Sequence, residues 1–342
     1  MTTPKVSVVM SVYNGEKYLR EAVDSILNQT FRDFEFIIID DGSTDSTPEI
    51  LRSYEDPRIV LLRNEQNIGL TKSLNRELAV AQGEYIARMD ADDVSLPERL
   101  EKQANFLEGH PQVALVGTAF AGIDERGQVR WEWQEALTDL EIKWQLLIEN
   151  AFGHSTTMFR RDAAAAVGNY PEERVVCQDY ALWSLMARRF SLANLPEILV
   201  YRRDDGSGVS YERQEEHATQ RWDIALHNQR YLAPDVHNGL DPHQILPALW
   251  GLWFIRPEII KVAHARVACK LAWRLRRAFV HRYFATQAEQ YHAARWCRDW
   301  LFQRLTPLIW HFLGDHQIEV AQSIVEDAMK EISGGPPIEK KQ

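Results

Sequence analysis

The chain has 342 residues, of which 45% are hydrophobic and 26% charged, and at about 150 residues per domain this length predicts roughly two domains. Its net charge of −10 argues against a protein whose main partner is nucleic acid. The longest apolar stretch, residues 245–255, includes a proline and falls well short of the ~20 residues of a membrane-spanning helix, so we expect no such helix.

The amino terminus and the cysteines favour a cytoplasmic location. Residues 1–15 carry too little charge and too short an apolar run for a secretory signal peptide. Cys177, Cys269 and Cys297 are far apart and odd in number, so they predict neither a disulfide framework nor a CxxC metal site. Inert thiols in a reducing compartment are the simplest interpretation.

Strands and helices alternate through the first 90 residues. Apolar, β-branched runs predict buried strands at residues 5–12, 34–39, 58–62 and 84–89. Helical spacing of apolar residues lies between them, as in Leu70–Ala81, and Thr47 followed by Pro48 predicts a helix N-cap and first helical position. Such alternation is typical of βαβ units in a mostly parallel sheet, where ligands bind beyond the carboxyl ends of the strands.

The character of the chain changes near residue 211. Residues 99–200 mix short strands and helices, whereas residues 211–332 show helical patterns rich in Trp, Arg and His. We therefore predict an α/β domain over residues 1–210, a helical region over 211–332 and a disordered tail over 333–342.

Acidic residues follow two of the predicted strands. Asp40 and Asp41 end the second strand, and Asp90, Asp92 and Asp93 follow the fourth. Carboxylates that share one sheet edge repel one another unless a cation or hydrogen bonds offset them. An Asp-x-Asp at this place can hold Mg²⁺ or Mn²⁺, with water and substrate phosphate oxygens as further ligands. A phosphate-bearing substrate held through metal is the prediction, and solvated loop acids or helix caps are the alternative.

Other motifs for phosphate binding and nucleophilic catalysis are absent from the sequence. It has no GxxxxGK[ST] loop, and Val-Tyr-Asn-Gly follows the first strand where a dinucleotide fold would have GxGxxG. A phosphatase with an aspartyl nucleophile would favour Asp-x-Asp after the first strand, whereas Asp40-Asp41-Gly42 follows the second. No Ser/His/Asp or Cys/His set is evident. These observations argue against a P-loop NTPase, a dehydrogenase and a phosphatase.

Four spaced blocks carry a resemblance to a known family. They are VSVVMSVYNGEKYLREAVDSILNQTFRDFEFIIIDDGSTDST, NIGLTKSLNRELAVAQGEYIARMDADDVSLPERL, GHSTTMFRR and CQDYALW. Over roughly residues 4–210 the chain resembles family 2 glycosyltransferases with a GT-A fold. The resemblance implies a mostly parallel, twisted sheet flanked by helices, followed here by an all-helical extension. It also implies a nucleotide-sugar donor and a divalent metal, Mg²⁺ or Mn²⁺.

The first two blocks imply the residues that bind nucleotide and metal. Ser11, Tyr13 and Asp41 lie where the family holds the uracil and ribose of a UDP-sugar. Asp90 and Asp92 match the DxD acids, with Asp92 in direct contact with metal and Asp90 on ribose or outer-shell water. For Lys72 the alternative is a solvated helix lysine. The full nucleotide-binding set implied is Ser11, Tyr13, Asp41, Asn67, Lys72, Asp90 and Ala91.

The later blocks imply the catalytic base and the groups around the leaving diphosphate. Asp179 matches the base of the family's E-D-x-x-L-W block, although Gln178 stands where an acid is common, and an N-cap aspartate is the alternative. Residues 199–210 resemble a block that often reads Y-R-x-H-x-x-S-x-S, with Asp204 where histidine is common. Candidates for contact with the diphosphate or acceptor are His154, Arg202 and Arg203.

Together these blocks imply an inverting transfer of a sugar to a hydroxyl of a carbohydrate or lipid-linked acceptor, in the synthesis of a bacterial surface polysaccharide or glycolipid. A non-catalytic protein that binds nucleotide sugars on the same fold is the alternative. A nucleotidyltransferase is disfavoured because the Gly-rich, basic loop usual after its first strand is absent. The donor sugar, acceptor, linkage and oligomeric state stay open, and Trp131 and Trp133 fit either sugar stacking or ordinary packing.

A basic amphipathic helix is expected in the carboxyl-terminal part, where residues 256–304 hold 11 Lys and Arg against 3 Asp and Glu. Its basic stripe runs from Arg266 to His281 beside an apolar one. Such a helix either packs on the protein with a solvated basic face or lies on an anionic membrane surface at the inner face of the membrane.

Overall fold

The computed structural model describes residues 3–204, 206, 213–241, 245 and 262–286. The chain divides into two compact units, Met1–Ile224 and Ala225–Gln342. The predicted boundary near residue 210 and the predicted tail at 333–342 fall on or beside segments outside the described residues, so both stay predictions.

The first unit is built from nine strands and seven helices among its described residues, followed by the start of an eighth helix. The strands are β1 (Val6–Val12), β2 (Phe34–Asp40), β3 (Ile59–Arg63), β4 (Tyr85–Arg88), β5 (Val94–Ser95), β6 (Val113–Ile123), β7 (Val129–Trp133), β8 (Met158–Arg160) and β9 (Ser191–Arg203). The helices are α1 (Leu19–Leu27), α2 (Thr47–Arg52), α3 (Leu70–Val80), α4 (Arg99–Gly109), α5 (Asp139–Gln145), α6 (Arg161–Ala166), α7 (Gln178–Ala187) and α8 (Gln214–Leu232). A single 3₁₀ turn, His154–Thr156, precedes β8.

All nine strands belong to one sheet. Its order is β3-β2-β1-β4-β8-β6-β9-β5, and β7 pairs with β6. The predicted parallel arrangement holds for β3, β2, β1 and β4, and again for β6 with β9. Beyond β4 the sheet is mixed, because β8 runs antiparallel to β4 and β6, and β5 and β7 run antiparallel to their partners. Of these antiparallel pairs, β6 and β7 are joined directly by a short turn, as antiparallel pairing allows.

Helices cover both faces of this sheet, which explains the apolar strands. On one face, buried residues of α1, α2 and α4 pack on the even-numbered residues of β1. On the other face, α3, α5, α6 and α7 form a second core that includes Val9 and Ile37. Strands buried on both faces read as continuous apolar runs rather than as alternating patterns. The predicted α/β architecture is therefore confirmed.

The start of α2 differs from the predicted one by one residue. Thr47 is the first helical residue and Ser46 the N-cap, so Pro48 is second rather than first. The Thr47 hydroxyl accepts a hydrogen bond from the backbone N–H of Gly15 at 2.9 Å instead of capping its own helix. The Thr47 side chain, which the local sequence predicts as the helix cap, therefore makes a contact with a distant segment instead.

The second unit contains the end of α8 and a further helix, α9 (Val262–Tyr283). Arg274 of the predicted basic stripe donates to the backbone oxygens of Val236 (3.1 Å) and Asn238 (2.6 Å), so this cation is used within the unit. Within the described ranges no helix is long and apolar enough to cross a membrane. Contact of α9 with a membrane surface stays a prediction.

Candidate active site

Five of the predicted site residues lie at or just after the carboxyl ends of β1, β2 and β4, which are neighbours in the sheet: Ser11, Tyr13, Asp41, Asp90 and Asp92. Val12 at the end of β1 is in register with Asp40 at the end of β2, and Val9 is in register with Arg88 at the end of β4. The acids that follow β2 and β4 therefore leave the same edge of the sheet, as the sequence pattern predicts. This edge is where ligands bind in open α/β sheets.

Asp41 organises the loop between β3 and α3. Its carboxylate is buried and accepts hydrogen bonds from Asn64 Nδ2 (2.6 Å) and from the backbone N–H groups of Ile68 and Gly69 (3.0 Å each). A Cβ at Gly42 would lie 2.6 Å from the Gln66 backbone, so the two loops touch where glycine leaves room. Asp41 thus holds in place the loop that carries Asn67.

The other residues implied for nucleotide binding differ in how accessible they are. Tyr13, Asn67 and Lys72 are exposed and open to a ligand. Ser11 is half-buried, and its hydroxyl donates to Glu77 Oε1 at 2.6 Å. Burial raises the pKa of Glu77 to about 8, so this carboxyl carries a proton at neutral pH. The Ser11 side chain therefore contacts the protein interior.

Asp90 forms an ion pair with a buried arginine. Arg88 Nη2 lies 2.6 Å from Asp90 Oδ1, and the Arg88 side chain is fully buried at the end of β4. Although desolvation acts in the opposite direction, the positive charge of Arg88 holds the pKa of Asp90 below its ordinary value. Asp90 is thus a carboxylate that already has one cation beside it.

Asp92 and Asp93 are less well compensated. The Asp92 side chain is exposed, yet desolvation in the cluster and the negative charges of Asp93 and Asp90 raise its pKa to about 7. Asp93 is buried and accepts hydrogen bonds from the Ser155 hydroxyl and, at 2.8 Å, from the backbone N–H of Arg203. Burial and the charge of Asp90 raise the pKa of Asp93 to about 6. Asp92 is therefore the accessible carboxyl of this cluster, and its two acidic neighbours disfavour its charged form.

The two arginines predicted to meet the diphosphate have different environments. Arg202 is half-buried, and its positive charge acts on Asp90, Asp92 and Asp93. Arg203 is engaged within the protein, because Nη2 pairs with Glu21 at 2.6 Å and Nε donates to the Asp92 backbone oxygen at 3.0 Å. Of the pair, Arg202 has the environment that suits a substrate phosphate.

His154 is a buried ring near two of the predicted site acids. Its Nε2 is 3.0 Å from the Tyr170 hydroxyl, and burial lowers its pKa to about 4, so the imidazole is neutral at pH 7. The charges of both Asp179 and Asp90 act on this ring. Asp90 and Asp179 therefore both lie near His154.

Asp179 occupies the first turn of α7. The residue before this helix, Cys177, has a left-handed backbone with φ of 56°, a conformation that is uncommon outside glycine. Asn150 Nδ2 donates to Asp179 Oδ2 at 2.7 Å. The carboxylate is half-buried near a helix N-terminus, where the dipole favours negative charge. It has the exposure and orientation that a proton acceptor needs.

Sequence reasoning missed the polar groups that contact these site residues. They are Glu77 beside Ser11, Arg88 beside Asp90, Asn150 beside Asp179 and Ser155 beside Asp93. One signal was available, since an arginine within the apolar run EYIARM, directly before four residues with three acids, needs a charged partner. The other contacts join segments far apart in the chain and leave no local pattern.

The acids at β4 fit a divalent cation of the Mg²⁺ or Mn²⁺ type. Asp92 offers an accessible carboxylate whose charge is poorly compensated, and Asp90 is its neighbour across one residue. Across the described part of the chain, no three His, Cys, Asp or Glu side chains are grouped closely enough to hold an ion alone. Such cations are commonly held by one or two carboxylates together with water and substrate phosphates, which is the donor set available here.

Comparison with known sequences gives the family. The model of glycosyl transferase family 2 matches residues 7–168. The amylovoran biosynthesis glycosyltransferase AmsE of Erwinia amylovora is 34% identical over 212 residues, which cover 60% of this chain and 79% of AmsE. The chain belongs to glycosyltransferase family 2. The uncharacterized glycosyltransferase MJ1057 of Methanocaldococcus jannaschii is 39% identical over 54% of this chain, and the chain spans 64% of that relative's length.

Solved glycosyltransferases share the fold. TarS of S. aureus, in complex with UDP-GlcNAc, aligns with a TM-score of 0.55 and 19% identity over 95% of this chain and 92% of that one. The mannosyltransferase PcManGT of Pyrobaculum calidifontis, in complex with GDP-Man and Mn²⁺, aligns with a TM-score of 0.51 and 17% identity over 98% of this chain and 89% of that one. At these identities the likeness concerns the fold, and it agrees with the GT-A arrangement that the sequence resemblance implies.

Proposed function

We propose that this family 2 glycosyltransferase moves a sugar from a UDP-sugar to an acceptor hydroxyl with inversion at the anomeric carbon, in a metal-dependent reaction. One observation carries the proposal. Asp90, the neighbour of the accessible Asp92, and the half-buried Asp179 both lie close enough to His154 for their charges to act on its ring. One acid thus serves the donor diphosphate and the other the acceptor.

The nucleotide end of the donor would lie at the ends of β1 and β2. Tyr13 is exposed there and can stack on a base, and Asn67 is exposed on the loop that Asp41 holds. Lys72 is exposed on the first turn of α3, where a cation can meet phosphate. Asp41 acts chiefly by shaping this loop, because its oxygens already accept three N–H groups.

Asp92, with Asp90 beside it, would hold the divalent cation against the donor diphosphate. When bound, such a cation supplies positive charge that stabilises the departing nucleoside diphosphate. Arg202 adds a second positive charge on the same side, since its charge acts on all three aspartates. Stabilisation of a leaving group by fixed charges commonly contributes more to the rate of such reactions than any other single effect.

Asp179 would act as the general base. It accepts the proton of the acceptor hydroxyl while that oxygen forms a bond to the anomeric carbon. The bond from this carbon to the diphosphate oxygen breaks in the same step, and the nucleoside diphosphate leaves with the electron pair. A single displacement of this kind inverts the anomeric centre and needs no covalent intermediate on the protein.

One solved structure and one sequence relative support the substrates that we propose. TarS is solved with UDP-GlcNAc, which supports a UDP-sugar donor, and AmsE is named for the biosynthesis of amylovoran. The likeness to AmsE supports a role in the synthesis of a bacterial surface polysaccharide or glycolipid.

A donor hydrolysis screen tests the proposed activity. The purified chain is incubated with UDP-, GDP- and dTDP-sugars with Mn²⁺ or Mg²⁺, and the released nucleoside diphosphate is measured. We expect release from a UDP-sugar only when metal is present, and none from Asp179→Asn beyond background. Binding of UDP without turnover of any donor, with acceptor present, would instead support a non-catalytic nucleotide-sugar-binding protein.

A further inference from the structure

Two tryptophans of β7 are exposed on one face of the sheet. All five residues of β7 are exposed, and Trp131 and Trp133 keep 39% and 50% of their surface accessible. Because successive side chains of a strand alternate between faces, these two rings lie on the same face, about 6.8 Å apart along the strand. We call Trp131 and Trp133 the tryptophan pair. Large aromatic side chains left in water at adjacent positions are a sign of a binding surface.

The sheet is built to hold the first of these rings. Trp131 is in register with Gly122 of β6, and a Cβ at Gly122 would overlap the Trp131 indole. The indole also meets the ring of Phe120 edge-on, with 5.9 Å between the centroids. Gly122 therefore provides the space in which Trp131 lies over the backbone, and Phe120 supports its edge. A ring held this way loses little conformational entropy when a ligand stacks on it.

The tryptophan pair is continuous with the donor side of the proposed active site. The guanidinium carbon of Arg202 lies 5.0 Å from the centroid of the same Phe120 ring that supports Trp131. Gly153, directly before His154, lies against Phe120 and Arg202, since a Cβ on Gly153 would be 3.4 Å from Phe120 and 3.5 Å from Arg202. One phenylalanine ring therefore separates Trp131 from the arginine whose charge acts on Asp90 and Asp92.

The segment after Trp133 leads to the proposed base. Gln145 Nε2 lies within hydrogen-bond distance of Glu135 Oε2 (2.7 Å) and of the Asn150 backbone oxygen (3.4 Å). Asn150 in turn donates to Asp179. Trp131 is thus linked through Phe120 to Arg202, and Glu135, two residues after Trp133, is linked through Gln145 to Asn150. Contacts therefore join each end of the tryptophan pair to groups that the proposed reaction uses.

We propose that Trp131 and Trp133 bind the acceptor as a glycan chain, with successive sugar rings stacked on the two indoles. A pyranose ring has an apolar C–H face that suits an indole, and the hydroxyls at its edge remain free to meet water or polar groups. A stable protein partner would need about 800 Å² on each side, more than two exposed rings on a five-residue strand supply. This inference rests on the proposed function, because it assigns the acceptor of that same site.

An array of bacterial oligosaccharides of one to six sugar units is the probe. The wild-type chain is compared with Trp133→Ala, with the conservative Trp133→Tyr and with Val129→Ala, which removes an exposed aliphatic side chain elsewhere on β7. We expect the wild type to bind at least one glycan, more strongly for chains of two or more units than for the monosaccharide. Trp133→Ala should weaken this binding about tenfold, equivalent to losing one stacking contact of roughly 1.4 kcal/mol. Trp133→Tyr should restore most of it, and Val129→Ala should match the wild type.

Several results would overturn the inference. They are binding to no glycan on the array, equal binding by Trp133→Ala, an equal loss in Val129→Ala, and a wild-type dimer that Trp133→Ala dissociates in light scattering. Unchanged thermal unfolding of the variants shows that a loss of binding is not a loss of fold. Failure of the proposed function would give a different result. The wild-type chain would then hydrolyse no donor and would still bind glycan through the tryptophan pair.

Discussion

Asn150 Nδ2 donates a hydrogen bond to Asp179 Oδ2 at 2.7 Å, and this contact sets the direction of the carboxylate at the start of α7. The two residues are 29 positions apart, and neither is fully buried. Cys177, with its left-handed backbone, precedes the first residue of α7, and the Asn150 side chain holds the carboxylate of Asp179. The arrangement positions an acid without neutralising it, because an amide donor carries no net charge.

Replacing Asp179 with asparagine tests its assignment as base. The variant keeps the shape of the side chain and loses the ability to accept a proton. We expect turnover to fall by roughly 10² to 10⁴, the usual contribution of general base catalysis, with nearly unchanged affinity for UDP. Single-turnover transfer and calorimetric titration with UDP measure the two quantities. Turnover close to the wild type would remove Asp179 from this role.

Asn150→Ala tests whether the amide positions this base. Loss of the hydrogen bond frees the carboxylate to rotate, and a reacting group misplaced by about 1 Å can cost up to 10² in rate. We expect kcat to fall ten- to a hundredfold while the KM for donor stays within about twofold. The matched control is Gln128→Ala, an exposed amide on the turn before β7, which should keep wild-type kcat. An equal rise in donor KM would contradict a positioning role.

Much of this site could be predicted from the sequence because strand patterns are local. Apolar runs predict β1, β2 and β4. Because these strands pair in parallel, the acids that follow β2 and β4 lie at the same edge of the sheet. The β5 strand could not be predicted, since it has only two residues, Val94 and Ser95, and exists through its pairing with β9. A two-residue segment has no periodicity from which to infer a strand.

The partners of the site residues could not be predicted, because they lie far away in the sequence. Ser11 and Glu77 are 66 positions apart, and Asp93 meets Ser155 across 62. The sequence identifies charged and polar groups that need a hydrogen-bond or ion-pair partner, and only the fold determines which partner each group contacts. Ser11 is the clearest case, because its family position suggested nucleotide contact whereas its hydroxyl contacts a buried carboxyl.

Asp92 and Asp93 should respond differently to substitution although they are adjacent. Asp92→Asn removes an exposed charge that its neighbours repel, so we expect Tm to stay level or rise slightly while metal-dependent transfer is lost. Asp93→Ala leaves the Ser155 hydroxyl and the Arg203 N–H without their buried acceptor, which should cost about 1–3 kcal/mol for each group. Calorimetric unfolding and transfer assays with and without EDTA measure both effects. Full activity of the wild type in EDTA would refute the metal assignment.

Asp41→Ala should destabilise the chain and disorganise the nucleotide loop. The substitution removes the acceptor of three N–H donors, from Asn64, Ile68 and Gly69, which should cost about 3 kcal/mol or more. We expect weaker UDP binding as well, because these bonds hold the loop that carries Asn67. Glu65→Ala, an exposed acid in the same loop, is the matched control and should change neither quantity. Equal stability of the Asp41 and Glu65 variants in urea unfolding would show that the three bonds contribute nothing net.

Glu77→Gln should make the chain more stable at neutral and alkaline pH. Burial raises the pKa of Glu77 to about 8 from its ordinary value of 4.5, so between these pH values the folded state holds a proton that the unfolded state has lost. The free energy of unfolding of the wild type should therefore fall as pH rises through this window, by up to about 1.4 kcal/mol per pH unit. Glutamine resembles the protonated form and does not titrate, so the variant should match the wild type near pH 4.5 and exceed it by a few kcal/mol at pH 8. Urea unfolding at pH 5, 6, 7 and 8 measures the difference, with the exposed Glu65→Gln as a control whose curve should run parallel to that of the wild type. If the Glu77→Gln curve also runs parallel to the wild type, Glu77 is ionised in the folded protein, and Ser11 then donates to a charged carboxylate rather than to a neutral one.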